Sequence, residues 1–162
     1  MINNDFSAIV PAPFGAIGIN TQDDFLLGLE LLSHDILGDS VIEKLASDAF
    51  TQSIVNQISA YLLNSNTTLD SSYALHGTPF QKRVWKAIAD IPRGYVLNYT
   101  QLADKVRSGP RAVANACGAN NTPLFIPCHR VVAKNGLGGF MQGKLSGLAI
   151  KQWLLRHEGI FP

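Results

Sequence analysis

Along the first part of the chain, short apolar runs alternate with turn residues: Ala8-Ile9-Val10, Pro13-Phe14-Gly15, Ala16-Ile17-Gly18-Ile19, then Asn20-Thr21-Gln22-Asp23-Asp24 and Phe25-Leu26-Leu27. Runs this brief, divided by Gly, Pro, Asn and Asp, predict a small hairpin-built sheet over residues 7–32. The period then changes. From Val41 to Leu63 the apolar positions Val41, Ile42, Leu45, Ala49, Ile54, Val55, Ile58 and Leu62 recur at three- and four-residue steps, which predicts one or two amphipathic helices. Asn64 to Gly77 is rich in Asn, Ser and Thr and reads as a linker.

The pattern restarts at Thr78-Pro79, an N-cap residue followed by Pro at the first helical position, with Phe80, Val84, Trp85 and Ile88 on one helical face. That helix should stop near Ile91-Pro92-Arg93-Gly94. Tyr99 to Val106, a turn at Arg107-Ser108-Gly109, and Pro110 to Ala119 then read as a helix-turn-helix. Its second helix carries only small side chains beside Arg111 and Asn115, a surface suited to groove entry and equally to tight internal packing. Leu148 to Gly159 closes the chain as an amphipathic helix with a Gly stop.

Composition adds bounds. With 162 residues, 46% hydrophobic and 15% charged, the chain can bury a real core and should form one domain or two small ones. No apolar run is long enough to cross a bilayer, and the first cation is Lys44, so the N-terminus lacks the basic start of a secretory signal and the Arg content of a transit peptide. The expectation is a protein with no membrane partner, cytoplasmic, or nuclear in a eukaryote. Two cysteines, Cys117 and Cys128, exclude a disulfide framework.

Charge changes the picture more. Thirteen Lys and Arg against twelve Asp and Glu give +1, which argues against a nucleic-acid partner until the chain is cut in two. Residues 1–77 hold nine carboxylates and one cation, a balance of −8, whereas residues 78–162 hold twelve cations and three carboxylates, a balance of +9. Such asymmetry suggests an anionic partner for the basic half. The reversal coincides with the Asn/Ser/Thr stretch, so domains at 1–76 and 77–162 are expected.

The run Ile126-Pro127-Cys128-His129-Arg130-Val131-Val132 sets a thiol immediately before an imidazole and a guanidinium, after a strand-like approach, Leu124-Phe125-Ile126. Were Cys128 to open a helical turn, unpaired N–H groups and neighbouring cations would favour thiolate and lower its pKa. A Cys-His pair alone is weak evidence, because most buried cysteines are packing.

Here the pair has company. Pro127-Cys128-His129-Arg130-Val131, with Asn120 eight residues before the Cys and Arg111 in Arg-Ala-Val seventeen before it, resembles the O6-alkylguanine-DNA alkyltransferases. The resemblance runs from Gly77-Thr78-Pro79-Phe80 through Ile91-Pro92-Arg93-Gly94 and Tyr99-Thr100-Gln101-Leu102-Ala103 to Trp153-Leu154-Leu155-Arg156-His157-Glu158-Gly159. It implies an N-terminal α/β roll of ribonuclease H-like type and a mostly α C-terminal domain with a helix-turn-helix, winged-helix-like. It further implies direct, single-turnover transfer of an alkyl group from O6-alkylguanine, and possible action on O4-alkylthymine, to Cys128, with base flipping and no cofactor.

The resemblance assigns roles residue by residue. His129 would deprotonate Cys128 through a bound water, and Glu158 would orient the imidazole. Tyr99 would donate its hydroxyl to the flipped guanine, Asn120 would stabilise the turn before the Cys, Pro123 would shape the pocket wall, and the carbonyls of Cys128 and Val131 would read the guanine amino group. Arg111 would replace the extruded nucleotide in the stack, on a helix whose Ala112, Ala114 and Asn115 enter the minor groove of double-stranded DNA largely independently of sequence. A monomer is expected, with the −8 half facing away from DNA. The first half has no Cys, so the zinc that some members carry there is not expected. Cys117 reads as packing near the pocket.

Two departures from the family pattern stand out. The turn between Tyr99 and Arg111 is two residues shorter than the commoner form, and the loop Gly138 to Gly147 is about three longer. Phe140 is the candidate to replace the usual Tyr, and Gln142 or Leu145 to Ser146 the candidates for the backbone N–H facing O6. Against the transferase stand two other readings. One is a non-catalytic module that binds alkylated bases and flags them for other repair machinery, disfavoured by the presence of Cys128, His129 and Glu158 together. The other is a thiol hydrolase, which would need water to release a thioether.

Overall fold

Three strands open the fold because every second or every residue of them is apolar and the turns between them are short. In the computed structural model, which describes residues 5–38, 43–139 and 147–160, the chain divides into two compact units, 1–74 and 75–162. In the first, β1 (Ala8–Ala12), β2 (Gly15–Gln22) and β3 (Phe25–Ser33) form an antiparallel sheet in the order β1-β2-β3. The register pairs Ile9 with Gly18 and Ile17 with Leu31, with a bulge between Asn20 and Thr21. The β2–β3 turn is Asp23-Asp24, both left-handed at φ 52° and 63°, the two-residue geometry whose twist matches the strands. Ala8, Ile17, Ile19 and Leu26 are fully buried.

A short helix, α1 (His34–Leu37), follows, N-capped by the Ser33 side chain. The next helix corrects the sequence reading. α2 spans Ala49–Leu63, buries Thr51, Ile54, Ile58 and Tyr61, and does not reach back to residue 43. Asp48 accepts from Thr51 N–H at 2.8 Å and so starts the helix, as a short carboxylate does by satisfying an orphan donor. Before it, Lys44 exchanges two backbone hydrogen bonds with Ile9, each 3.0 Å, so this segment joins the sheet edge, and Leu45 is 80% exposed. The apolar spacing continued through Leu45 by coincidence; Val41 and Ile42 lie outside the described residues. The Asn/Ser/Thr stretch is also more than a linker at its end. Leu26 N–H donates to Ser72 O at 2.9 Å and Ala74 N–H to Leu26 O at 3.0 Å, so Ser72 to Ala74 covers the edge of β3, which would otherwise present unpaired groups.

The second unit is mostly helical: α3 (Pro79–Ala89), α4 (Tyr99–Val106), α5 (Pro110–Gly118) and α6 (Gly147–His157), with two-residue parallel strands β4 (Leu97–Asn98) and β5 (Val131–Val132). α3 and α4 each begin with a capping box, Thr78 with Gln81 and Asn98 with Gln101. Trp85 donates from Nε1 to Ala116 O at 2.8 Å, pinning α3 to α5 and satisfying a buried indole. α5 turns Val113 and Ala116 inward and leaves Arg111 and Asn115 exposed. α6 ends where Gly159, at φ +80°, lets Ile160 N–H return to Leu155 O at 2.9 Å.

The expected fold class holds: a β-sheet/α roll followed by a mostly helical unit with a helix-turn-helix. No helix among the described residues is long and apolar enough to cross a membrane.

Candidate active site

Between α5 and β5 the chain makes no regular structure until a single 3-10 turn, Cys128–Arg130. Leu124 has φ +74°, and Ile126 N–H donates to Thr122 O at 2.9 Å, so Leu124-Phe125-Ile126 is a buried turn where a strand-like approach was expected. The sequence is apolar there because the turn is interior, and burial alone does not distinguish turn from strand. Asn120 holds this turn together. Its Nδ2 donates to Ile126 O and its Oδ1 accepts from Thr122 N–H, each at 2.9 Å. Pro123 sits inside the turn and is buried.

The turn delivers Cys128 into the interior, 8% exposed. Burial pushes its thiol pKa up, while a hydrogen bond from the Asn120 side chain and the charge of Lys151 pull it down. The expected lowering of the thiol pKa is therefore overturned for the resting protein. Cys128 N–H is taken by Ile126 O at 2.8 Å, so the one-turn helix offers the sulfur little dipole, and desolvation dominates.

The adjacent residue has a fixed partner. His129, 1% exposed, shares its Nε2 with Oε2 of Glu158 at 2.8 Å, and Glu158 is 2% exposed. A carboxylate can only accept, so Nε2 carries the proton and Nδ1 the lone pair. Nδ1 is buried and has no hydrogen-bond partner among the described residues. Burial lowers the His129 pKa, against the raising effect of Glu158, with Arg130 and Lys151 also lowering it, and the ring is held neutral. Arg130 completes the array: Nε and Nη2 donate to Oε1 and Oε2 of Glu158 at 2.8 and 3.0 Å, and Nη1 to Ile91 O at 2.7 Å. Arg93 donates to the Glu158 carbonyl at 3.2 Å.

Tyr99, first residue of α4, is half-buried. Burial raises its pKa, the nearby thiols of Cys117 and Cys128 add to that, and a hydrogen bond with the Gly139 backbone opposes it. Gly138, at φ +75°, lies so close that a Cβ there would meet Tyr99 Cε2 at 2.9 Å and its hydroxyl oxygen at 3.0 Å. Cys117 is pushed up to about 12 by burial and by Cys128, the state of a packing thiol.

Of the residues expected at a site, Tyr99, Asn120, Pro123, Cys128, His129, Val131 and Glu158 gather around the thiol and its turn. Arg111, Ala112, Ala114 and Asn115 belong instead to the outward part of α5, opposite buried Val113 and Ala116. Phe140, Gln142, Leu145 and Ser146 lie outside the described residues.

Sequence reasoning missed Lys151. It is fully buried on α6 and donates from Nζ to Val131 O at 2.6 Å and Gly139 O at 2.9 Å, tying β5 to the loop beneath Tyr99. Burial lowers its pKa to about 8, the facing thiols acting in the opposite sense. The signal was present: Lys151 precedes Leu155 by four residues and Leu154 by three, placing a charge within the apolar stripe. Arg130, expected as a cation favouring the thiolate, is instead bound to Glu158, and the hydrogen bond from Arg93 to the Glu158 carbonyl has no signal in the sequence.

Residues 79–160 match the family model described as 6-O-methylguanine DNA methyltransferase, DNA binding domain. A methylated-DNA–protein-cysteine methyltransferase of Shigella flexneri is 49% identical over 88 residues, 53% of this chain and 50% of that protein. The chain thus spans about half the length of that curated relative. One from Saccharolobus islandicus is 32% identical over 149 residues, 92% of each chain. The crystal structure of Mycobacterium tuberculosis OGT in complex with DNA superposes with a TM-score of 0.75 at 31% identity, covering 95% of this chain and 93% of that one. With half of its length matched by the family model and nearly all of it aligned to a relative, the chain belongs to the 6-O-methylguanine DNA methyltransferase family.

Proposed function

We propose that this protein repairs DNA by direct, single-turnover transfer of the alkyl group from O6-alkylguanine to Cys128. The observation that carries the reading is the state of His129: its Nε2 is committed to Glu158, while its buried Nδ1 keeps a lone pair on the residue next to the thiol. A neutral imidazole and a neutral thiol in contact with little solvent form a pair poised to exchange one proton. His129 accepts the Cys128 proton through a water, Sγ attacks the alkyl carbon, the carbon–O6 bond breaks, and a thioether forms. The electron pair leaves with guanine, whose developing charge the Tyr99 hydroxyl stabilises by donation. Glu158 balances the imidazolium. A thioether is not hydrolysed, so each chain reacts once, without a cofactor.

O6 of a paired guanine lies inside the duplex, and a thiol this buried reaches it only on an extruded nucleotide. The exposed Arg111 at the start of α5 fills the gap in the stack, and the small residues Ala112 and Ala114, with Asn115, line a helix narrow enough for the minor groove. The protein acts as a monomer on double-stranded DNA with little sequence preference. A module that only flags lesions has no use for the buried Cys128, His129 and Glu158 array, and that reading is not favoured.

Intact mass after incubation with an oligonucleotide carrying O6-methylguanine tests the proposal. One methyl group per chain, located on Cys128 and absent from Cys128→Ser, is expected; repeated turnover or an unmodified chain would refute it.

A further inference from the structure

The turn between α4 and α5 is built on an unfavourable residue. Arg107 is the C-cap of α4, with φ 56° and ψ 53°. A Cβ makes that left-handed conformation costly, and helix ends that need it use Gly or, less often, Asn. The turn's hydrogen bonds come from the main chain: Arg107 N–H returns to Ala103 and Asp104 carbonyls, and Ser108 N–H donates to Ala103 O at 2.9 Å. None of these needs an arginine side chain.

Capping does not need it either. Arg83, on α3, donates from Nη2 to Val106 O at 3.1 Å while its guanidinium lies 5.3 Å above the Phe80 ring. One arginine thus already serves the C-terminus of α4. Arg107, exposed and one residue further on, forms no side-chain hydrogen bond or ion pair with a described residue. It stands four residues before Arg111, at the turn that joins α4 to α5. In helix-turn-helix docking the first helix crosses the nucleic-acid backbone, and Arg107 is the residue that ends that helix.

We propose that Arg107 is a phosphate anchor, a residue kept at the expense of a better turn because its guanidinium grips the DNA backbone and sets how α5 enters the groove. The inference rests on the reading that this unit binds duplex DNA. A planar guanidinium matches two phosphate oxygens at once and reads no base, in keeping with sequence-independent binding.

Binding of the full chain to an undamaged duplex oligonucleotide, measured across a range of salt concentrations, is compared with thermal melting for the wild type, Arg107→Gly and Arg107→Lys. Loss of one phosphate contact reduces the slope of log affinity against log salt by about 0.9. The expected result is that reduced slope with several-fold weaker low-salt binding for Arg107→Gly, a melting temperature at or above wild type, and a slope restored in Arg107→Lys. A wild-type slope in Arg107→Gly overturns the anchor alone. A wild-type chain that binds no duplex overturns the DNA-binding reading, and the anchor with it.

Discussion

Oε2 of Glu158 meets both Nε2 of His129 at 2.8 Å and Nη2 of Arg130 at 3.0 Å, so one buried carboxylate orients the imidazole and is itself charge-balanced by the next residue in the chain. Glu158→Gln keeps the shape and removes the charge. Breaking a buried ion pair by altering one partner costs about 3 kcal/mol, because Arg130 is left without its counter-ion. The amide can also donate where the carboxylate only accepted, which frees His129 to turn. Denaturant unfolding should show that loss, and single-turnover transfer measured where the variant is still folded should slow by about 100-fold or more. Wild-type transfer by folded Glu158→Gln would remove the orienting role.

How much of this was legible in the sequence differs from element to element. The hairpins over residues 7–32 were, because Gly, Pro and Asp-Asp turns bracket their apolar runs, and α3 was, because Thr78-Pro79 marks its start. The N-terminus of α2 was not legible: the apolar period runs on through Leu45, and only the Asp48 cap marks the true start. Around the site, Cys128, His129 and Glu158 could be named from the motif. Their electrostatics could not, since the thiol pKa depends on how completely the turn before it is interior, a tertiary property. Lys151 was readable as a cation in an apolar stripe, but its carbonyl partners on β5 and at Gly139 are far from it in the chain.

Lys151 makes stability depend on pH in a window of its own. Its folded pKa is about 8 against an ordinary 10.5, so above pH 8 the folded chain releases a proton that the unfolded chain retains. Stability therefore rises with pH from 8 toward 10.5 on this account, by on the order of 1 kcal/mol per pH unit. Cys117 acts oppositely: raised from 9.0 to about 12, it contributes stability that is present below 9 and lost between 9 and 12. Cys128, raised likewise by burial, acts in the same sense as Cys117, so the two thiols offset part of the lysine's gain as pH nears 9. Lys151→Met removes the rising contribution and leaves the thiols, so its urea unfolding free energy should fall between pH 8 and 9 relative to the change seen in the wild type. The same change with pH in both proteins would show that another group is responsible.

Gly138 governs Tyr99 through space that only a glycine leaves free. In Gly138→Ala the new methyl would stand 2.9 Å from the Tyr99 ring, at a φ of +75° that alanine resists. Strain of about 1–2 kcal/mol follows from the backbone alone. The ring must also shift, carrying its hydroxyl off the position from which it would meet guanine. Tyr99→Phe separates the two effects by removing the hydroxyl and leaving the ring. Both variants should transfer alkyl groups more slowly, and only Gly138→Ala should melt markedly lower. Wild-type transfer by Tyr99→Phe would exclude the hydroxyl from the reaction.

Arg111 offers the sharpest separation of binding from chemistry. It is exposed on the first turn of α5, whereas Cys128 and His129 are buried, so its removal should leave the thiol and imidazole untouched. A residue that fills the stack matters only when there is a stack to fill. Arg111→Ala should therefore slow transfer strongly from O6-methylguanine in duplex DNA and little from the free modified base. Extrusion costs a few kcal/mol, and losing the residue that offsets it corresponds to about a 10- to 100-fold slower reaction on duplex. Since the free base requires no extrusion, its rate is the internal control for folding and for the state of Cys128. Equal losses on both substrates would mean that Arg111 acts on the site itself and not on the helix that the base leaves.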